Sequence, residues 1–326
     1  MGLGGTALTV LVLAEQTDTP VDMVIAELTS RDVPVFRADT GWFPSRLVLT
    51  ARIDESGIWT GELRTEHRRV DLAEIRSIWS RGPGAFRFAS GMTDAARIYA
   101  HREARLGFGG VLAQLDTRWV NHPSRSADSS YKPVQLATAA RCGLTTATTV
   151  ITNSPEAVRR LAKDCPGGIV QKSLGPNTIT EGNRIDVAFT RRLERADLED
   201  LSAVELTATQ VQAWIDKKCE ARIIVVGDQM FTILIRAGSP VGHVDWRADY
   251  KSLSYEWIET PSEVAKSLRS YVDRLGLAYA AVDFAIDCDD RWVFLESNSA
   301  GQYYWLEAHT GAPMTSALCD LLSGVE

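Results

Sequence analysis

The sequence predicts mixed α/β and α+β lobes arranged around a central cleft, and three observations predict it. The chain has 326 residues, too many for one small module and suited to two or three lobes. Its apolar fraction of 45% and charged fraction of 24% are those of an ordinary globular protein, which excludes a disordered, collagenous or membrane-spanning chain. Strand-like and helix-like patterns alternate along its length, and strands suited to antiparallel pairing gather towards its end.

Residues 8–13 are a continuous apolar run of the buried-strand kind, followed by a helical pattern over 19–31. Residues 34–37 read as a second strand, and 47–53 with 59–64 alternate around Glu55-Ser56-Gly57 as a hairpin. Another buried strand, 75–80, is stopped by Arg81-Gly82-Pro83-Gly84. A long helix over 93–115, with Ala, Ile, Tyr and Leu on one face, leads to Trp119-Val120-Asn121-His122-Pro123, which closes a first lobe at 1–123. A second lobe, 124–205, holds a helix over 131–142 stopped by Gly143, a strand over 145–152 and a helix from Ser154-Pro155-Glu156 to 163. Residues 167–175 then give a turn, a strand and a loop, and the charge-rich 191–205 reads as exposed. The third lobe, 206–326, has strands at 209–215, 221–226 and 229–236, a helix over 263–276, and a hairpin of 280–288 with 291–297 turning at Asp289-Asp290.

A net charge of −7 argues against a nucleic-acid surface, but a local cluster of cations could still bind an anionic nucleotide. The five cysteines are scattered with no CxxC pair, and no His pair has zinc-finger spacing, so the expected setting is reducing and cytoplasmic. The opening Met1-Gly2-Leu3-Gly4-Gly5-Thr6 fits a loose myristoylation pattern through Gly2 and Thr6. It lacks a basic segment, and the apolar run that follows is too short to span a bilayer, so neither secretion nor a membrane is expected. There is no GxxxxGK[ST] loop and no GxSxG elbow.

The strongest constellation lies in the last strands. Asp283 sits inside the apolar run 282–286, and Glu296 inside 293–298, with Asn298 two residues on. Residues i and i+2 of a strand share a face, so Glu296 and Asn298 point into one site, and hairpin pairing can add Asp283. Two carboxylates and an amide oxygen suit a hard cation such as Mg²⁺. Only seven of the 35 basic residues are lysines. Lys172 ends a short strand, either as a phosphate contact or as a snorkelling strand-end lysine. Lys132 opens a helix, where a cation is unfavourable unless an anion is present. Glu220 and Arg222 share a strand face, as a ribose-and-phosphate contact or as a surface ion pair.

From the strand at residue 8 to the last helix, this order of parts resembles the ATP-grasp fold, in which two α+β lobes close on ATP behind an N-terminal α/β lobe. The resemblance implies Lys132 and Lys172 as nucleotide lysines and Gln212, Ala213, Trp214 and Ile215 as the hinge whose backbone reads adenine. It further implies Glu220 as the ribose acid, Arg222 as the phosphate arginine that acts in catalysis with Lys172, and Asp283, Glu296 and Asn298 as magnesium ligands.

Narrower motifs are similar to those of graspetide synthetases, the microviridin-type maturases of ribosomal peptides. They are Ile78-Trp79-Ser80-Arg81-Gly82-Pro83, Trp119-Val120-Asn121-His122-Pro123, Asp245-Trp246-Arg247 and the segment from Ser297-Asn298 through Gly301-Gln302 to Trp305-Leu306-Glu307. Ser299 stands where that family has proline, and Gln171-Lys172-Ser173 departs from its usual Lys-Pro context. The resemblance implies ATP and Mg²⁺ as cofactors and a precursor peptide with a leader and an acidic, Thr-rich core as partner, met by Asp245, Trp246 and Arg247. It implies a homodimer too, and acyl-phosphate activation of Asp or Glu side chains, closing ω-ester or ω-amide rings onto Ser, Thr or Lys. The alternatives are an ATP-grasp ligase for a free amino acid or short peptide, of the glutathione-synthetase or ribosomal-protein-modifying type, and a non-catalytic nucleotide-binding partner of a ligase.

Overall fold

The structure is a computed structural model that describes residues 8–175, 177–182 and 184–325; the opening residues Gly2 and Thr6 lie outside them. The first lobe carries strands β1 (Thr9–Leu13), β2 (Val35–Ala38), β3 (Val48–Ile53), β4 (Trp59–Arg64), β5 (Arg69–Asp71), β6 (Ile75–Ser80) and β7 (Arg118–Val120), with helices α1 (Thr19–Ser30) and α2 (Asp94–Ala113). A parallel sheet runs in the order β2-β1-β6-β7, and β3-β4-β5 form a separate meander. The Asp18 side chain caps α1 by accepting from Val21 N–H at 3.3 Å, and the helix buries Val21, Val24 and Leu28, one stripe at helical spacing.

The expected apolar face of α2 is not the buried one. Ala104, Phe108, Val111 and Leu112 are buried, whereas Ile98, Tyr99 and Leu106 are exposed. Leu106 stands about 200° round the helix from Ala104 at 3.6 residues per turn, so both cannot meet the same sheet.

The next elements are α3 (Pro123–Ser129), α4 (Lys132–Arg141) and β8 (Thr145–Thr146), then β9 (Thr149–Thr152), α5 (Pro155–Asp164), β10 (Ile169–Lys172), β11 (Thr178–Glu181), β12 (Arg184–Val187), β13 (Arg191–Arg192), α6 (Arg195–Glu199) and β14 (Thr209–Ala213). After these come β15 (Lys217–Val226), β16 (Gln229–Ala237), α7 (Pro240–Val244), β17 (Leu253–Ile258), α8 (Ser262–Leu275), β18 (Tyr279–Asp287), β19 (Trp292–Asn298), α9 (Tyr304–Thr310) and α10 (Met314–Ser323). A large sheet has the order β17-β16-β15-β18-β19-β8, and a small antiparallel sheet the order β13-β10-β14-β9.

Packing divides the chain differently from the predicted lobes. The expected strand over 145–152 is two strands, of which β8 pairs with β19 in the large sheet and β9 with β14 in the small one. Helix α4 also belongs with the large sheet, because Ala139 and the following Leu144 bury in one core with Leu268, Tyr271 and Phe294. Strand β14, expected in the third lobe, completes the small sheet. A second core joins Val10, Val12 and Trp79 of the first lobe to Ile224, Tyr279 and Tyr303, so the first lobe and the large sheet share an apolar interior.

Candidate nucleotide and metal site

Between the small and large sheets lies a cavity of about 520 Å³. Its floor holds two acids of a charged row that runs straight across three strands. Asp283 on β18 stands directly opposite Arg222 on β15 and opposite Glu296 on β19. The second pairing depends on a bulge. Phe284 pairs with Phe294 and Asp283 with Glu296, so Leu295 is an extra residue on β19. Without it Asp283 would face Leu295, and Glu296 would turn into the core beside Phe294. Asn298 follows Glu296 on the cavity side, while Ser297 turns inward to Tyr271 Oη at 2.7 Å.

Each carboxylate is met by cations. Arg222 holds Asp283 through two bonds, Nε to Oδ1 at 2.7 Å and Nη2 to Oδ2 at 2.8 Å, with its guanidinium 5.1 Å from the Trp246 ring centre. Lys132 Nζ donates to Glu296 Oε2 at 2.5 Å, and Arg247 Nη1 lies 3.6 Å from Glu296 Oε1. Burial raises the Glu296 carboxyl, but Lys132, Arg247 and Lys172 outweigh it and hold the group at about 2. Lys172 lines the cavity too, its ammonium pushed below the ordinary range by burial while Glu296 and Glu220 pull it back up.

The donor set fits a hard divalent cation. Asp283, Glu296 and Asn298 offer only oxygen, on one face of two paired strands, and Lys132, Arg222 and Arg247 supply the positive charge they meet in this structure. No group of three His, Cys, Asp or Glu gathers among the described residues.

Gln212, Ala213, Trp214 and Ile215 all line the cavity. Ala213 N–H already donates to Thr148 O at 2.9 Å and Trp214 N–H to Gly168 O at 2.9 Å, and buried Gln212 donates to Thr149 Oγ1 at 2.8 Å. Ile215 therefore has the freest backbone of the four.

Three of the expected site residues are engaged within the protein itself. Arg222 does not line the cavity; it is 8% exposed behind Asp283 and acts by holding it. Glu220 lines the cavity but is bound by Lys217 Nζ at 2.5 Å, and burial raises its carboxyl against that pull. Asp245, expected to face a peptide, is 4% exposed with both oxygens engaged: Arg247 donates to each at 2.8 Å, and Thr190 N–H donates to Oδ2 at 2.9 Å. Trp246 is likewise buried, stacked on Trp305 with ring centres 5.2 Å apart. Arg247 is the member of this segment that reaches the acid row.

Sequence reasoning missed Lys217 and Gln135. Lys217 Nζ also donates to Val244 O at 3.2 Å and lies 5.4 Å from the Trp214 ring centre. Gln135 donates to Ser297 O at 2.8 Å and accepts from Ser297 N–H at 3.1 Å, locking α4 to the strand between Glu296 and Asn298. The signal available was a lysine next to the hinge and an amide one turn after Lys132.

Comparison with known proteins bears on the fold that carries this site. Residues 9–127 match the family described as the MvdD pre-ATP grasp domain. The macrocyclase MdnC of Microcystis aeruginosa MRC, solved with the precursor peptide MdnA, is similar at a TM-score of 0.85 and 26% identity, over 97% of this chain and 100% of that one. A RiPP-associated ATP-grasp ligase of Chryseobacterium gregarium, solved with ADP and a leader and core peptide, gives 0.88 and 25% over 98% and 97%. The macrocyclase MdnB of Microcystis aeruginosa MRC gives 0.79 and 26% over 97% and 99%. No curated protein sequence matches the chain. The ATP-grasp fold and the likeness to ribosomal-peptide maturases that the sequence implied are both borne out.

Proposed function

We propose that this chain, an ATP-grasp protein built like the macrocyclases of ribosomal peptides, is an ADP-forming ligase for a precursor peptide. It activates Asp or Glu side chains as acyl phosphates and closes ω-ester or ω-amide rings onto Ser, Thr or Lys. The observation that carries this reading is the pair Asp283–Glu296, held from behind by Arg222, flooring a cavity ringed by Lys132, Lys172, Lys217 and Arg247. That is a cradle for a metal-bound polyphosphate, and the chemistry makes little demand for a protein nucleophile.

Lys132, Lys172 and Arg247 bind the phosphates, and the backbone of Ile215 meets the base. Glu220, steadied by Lys217, faces the ribose. Asp283, Glu296 and Asn298 would hold Mg²⁺, which when bound neutralises charge on the transferring phosphoryl group. A peptide carboxylate oxygen attacks the γ-phosphorus and ADP leaves. A peptide hydroxyl or amine then attacks the acyl carbon, phosphate leaves, and the peptide has lost one water per ring. Positioning and charge neutralisation suffice for both steps. The precursor carries a leader and an acidic, Thr-rich core, and the enzyme works in the cytoplasm as a homodimer. The exposed Ile98, Tyr99 and Leu106 of α2 support a covered face.

The test is incubation with Mg-ATP and short acidic, Thr-rich peptides encoded beside the gene, read by mass spectrometry for loss of water and by ADP release. ADP formation with free amino acids alone would overturn the macrocyclase reading.

A further inference from the structure

Every backbone carbonyl from Ser297 to Gln302 accepts a hydrogen bond, although the chain there leaves β19 and enters no regular element until α9. Gln135 Nε2 donates to Ser297 O at 2.8 Å, Gly301 N–H to Asn298 O at 3.3 Å and Asn121 Nδ2 to Ser299 O at 2.7 Å. Arg81 Nη1 donates to Ala300 O at 2.5 Å, Tyr279 Oη to Gly301 O at 2.6 Å and Arg222 Nη1 to Gln302 O at 3.3 Å. Side chains from distant elements thus hold an irregular turn as a ladder would hold a strand. Arg81 and Asn121 come from the first lobe, none of whose described residues lines the cavity wall.

We infer that Arg81 and Asn121 are positioning residues for Asn298, acting from the first lobe through the turn that follows it. The inference rests on Asn298 being a metal ligand. Asn298 Oδ1 accepts from Ala300 N–H at 2.9 Å. That N–H and the Ser299 carbonyl belong to one planar peptide group, so Asn121, by gripping the carbonyl, sets the direction of the N–H that orients the Asn298 amide. Arg81 fixes the next carbonyl. The second lone pair of Asn298 Oδ1 is left for a cation.

The two residues are anchored differently. Asn121 is fully satisfied: its amide also donates to Tyr279 O at 2.7 Å and accepts from Ala278 and Tyr279 N–H at 2.7 and 3.0 Å. Arg81 is 6% exposed, yet among the described residues its Nε and Nη2 find no hydrogen-bond partner, and Asp18 Oδ2 stands 3.7 Å away. A buried guanidinium so poorly compensated is a cost to the fold, which is understandable if its work is done at Ala300.

The experiment measures ADP affinity by calorimetry with and without Mg²⁺, in the absence of peptide, and the Mg²⁺ dependence of ADP formation with peptide. The variants are Arg81→Met, Arg81→Lys, Asn121→Asp, which keeps the acceptor for the Ala278 and Tyr279 amides, and Asn298→Ala as reference. Asn298→Ala is expected to lose about tenfold of the Mg²⁺-linked gain in ADP affinity, a loss of the size of one good contact. Arg81→Met and Asn121→Asp are expected to lose about fivefold or more, with metal-free ADP affinity and kcat at saturating Mg²⁺ within about twofold of wild type, and Arg81→Lys restores most of it. Wild-type Mg²⁺ linkage in Arg81→Met and Asn121→Asp beside a loss in Asn298→Ala overturns the positioning role and leaves the metal reading intact. An equal fall in metal-free affinity also overturns it, as general damage. Full linkage in Asn298→Ala itself sinks the metal reading instead.

Discussion

Replacing Arg222 by methionine isolates what the buried acid row needs to exist. The Asp283 residue is 6% exposed, and Arg222 supplies both bonds to its carboxylate, at 2.7 and 2.8 Å. Methionine roughly fills the arginine stem and keeps an apolar contact on Trp246, so the cavity contribution is small. What remains is an uncompensated buried carboxylate, whose cost is about 3–5 kcal/mol. Adding Asp283→Leu removes the stranded charge, and the double variant is expected to recover most of that loss, because a buried ion pair exchanged for apolar groups is close to neutral. Urea unfolding followed by far-ultraviolet circular dichroism and tryptophan fluorescence reads both values, and ADP release reports that the stable double variant is inactive. A single-variant cost below about 1 kcal/mol, or a double-variant cost equal to the sum of the two singles, refutes the reasoning.

Three further outcomes follow from the same geometry. Glu296→Gln should abolish ADP formation while circular dichroism shows the fold retained, and unchanged turnover would remove Glu296 from the site. Gly301→Ala places a Cβ 2.4 Å from Ala281 Cβ, neither atom being able to swing away. It should destabilise by about 1–3 kcal/mol, with Ala281→Gly restoring part of the loss, both read as denaturation midpoints. Burial raises Asp245, but Arg247 and the Thr190 N–H outweigh it and hold the group at about 2, below the ordinary 3.8. A depressed folded-state value gives stability that is present above about pH 4 and lost as the pH falls towards about 2, worth about 2 kcal/mol. Wild type minus Asp245→Asn should therefore shrink by that amount across acid unfolding, and a constant difference would mean that the pair with Arg247 is absent.

The acids of the site were legible because a carboxylate inside an apolar strand is conspicuous, and the Asp289-Asp290 turn suggested which strands pair. Their meeting was not. Perfect hairpin register would oppose Asp283 to Leu295, and the bulge that turns Glu296 outward has no mark in composition. The motif segment most specific to the resemblance proves mainly architectural. Gly301 permits the close approach to Ala281, Trp305 stacks on Trp246, Leu306 is core, and Glu307 Oε2 accepts from Thr315 N–H at 3.0 Å at the start of α10. The ties of Asn121 and Gln135 to the turn after β19 stayed silent because Ser299 and Ser297 lie more than 150 residues away, at a distance no local pattern spans. Asp245-Trp246-Arg247 looked like a charged surface offering because the short turn in which its carboxylate and guanidinium satisfy each other is not announced by the sequence.

The chain passes between the large and small sheets at two places, through Ala147-Thr148 and through Trp214-Ile215-Asp216. The first of these straps is tied to the strand end that leads into the second, Ala213 N–H at the close of β14 donating to Thr148 O at 2.9 Å. Two short cords fastened side by side define a line, as the pins of a door do. Sliding or twisting of the small sheet would tear that bond, whereas swinging about the line leaves it whole. Lys172 belongs to the leaf, whereas Asp283 and Glu296 belong to the frame, so this cation and the two acids are carried on opposite sides of that line.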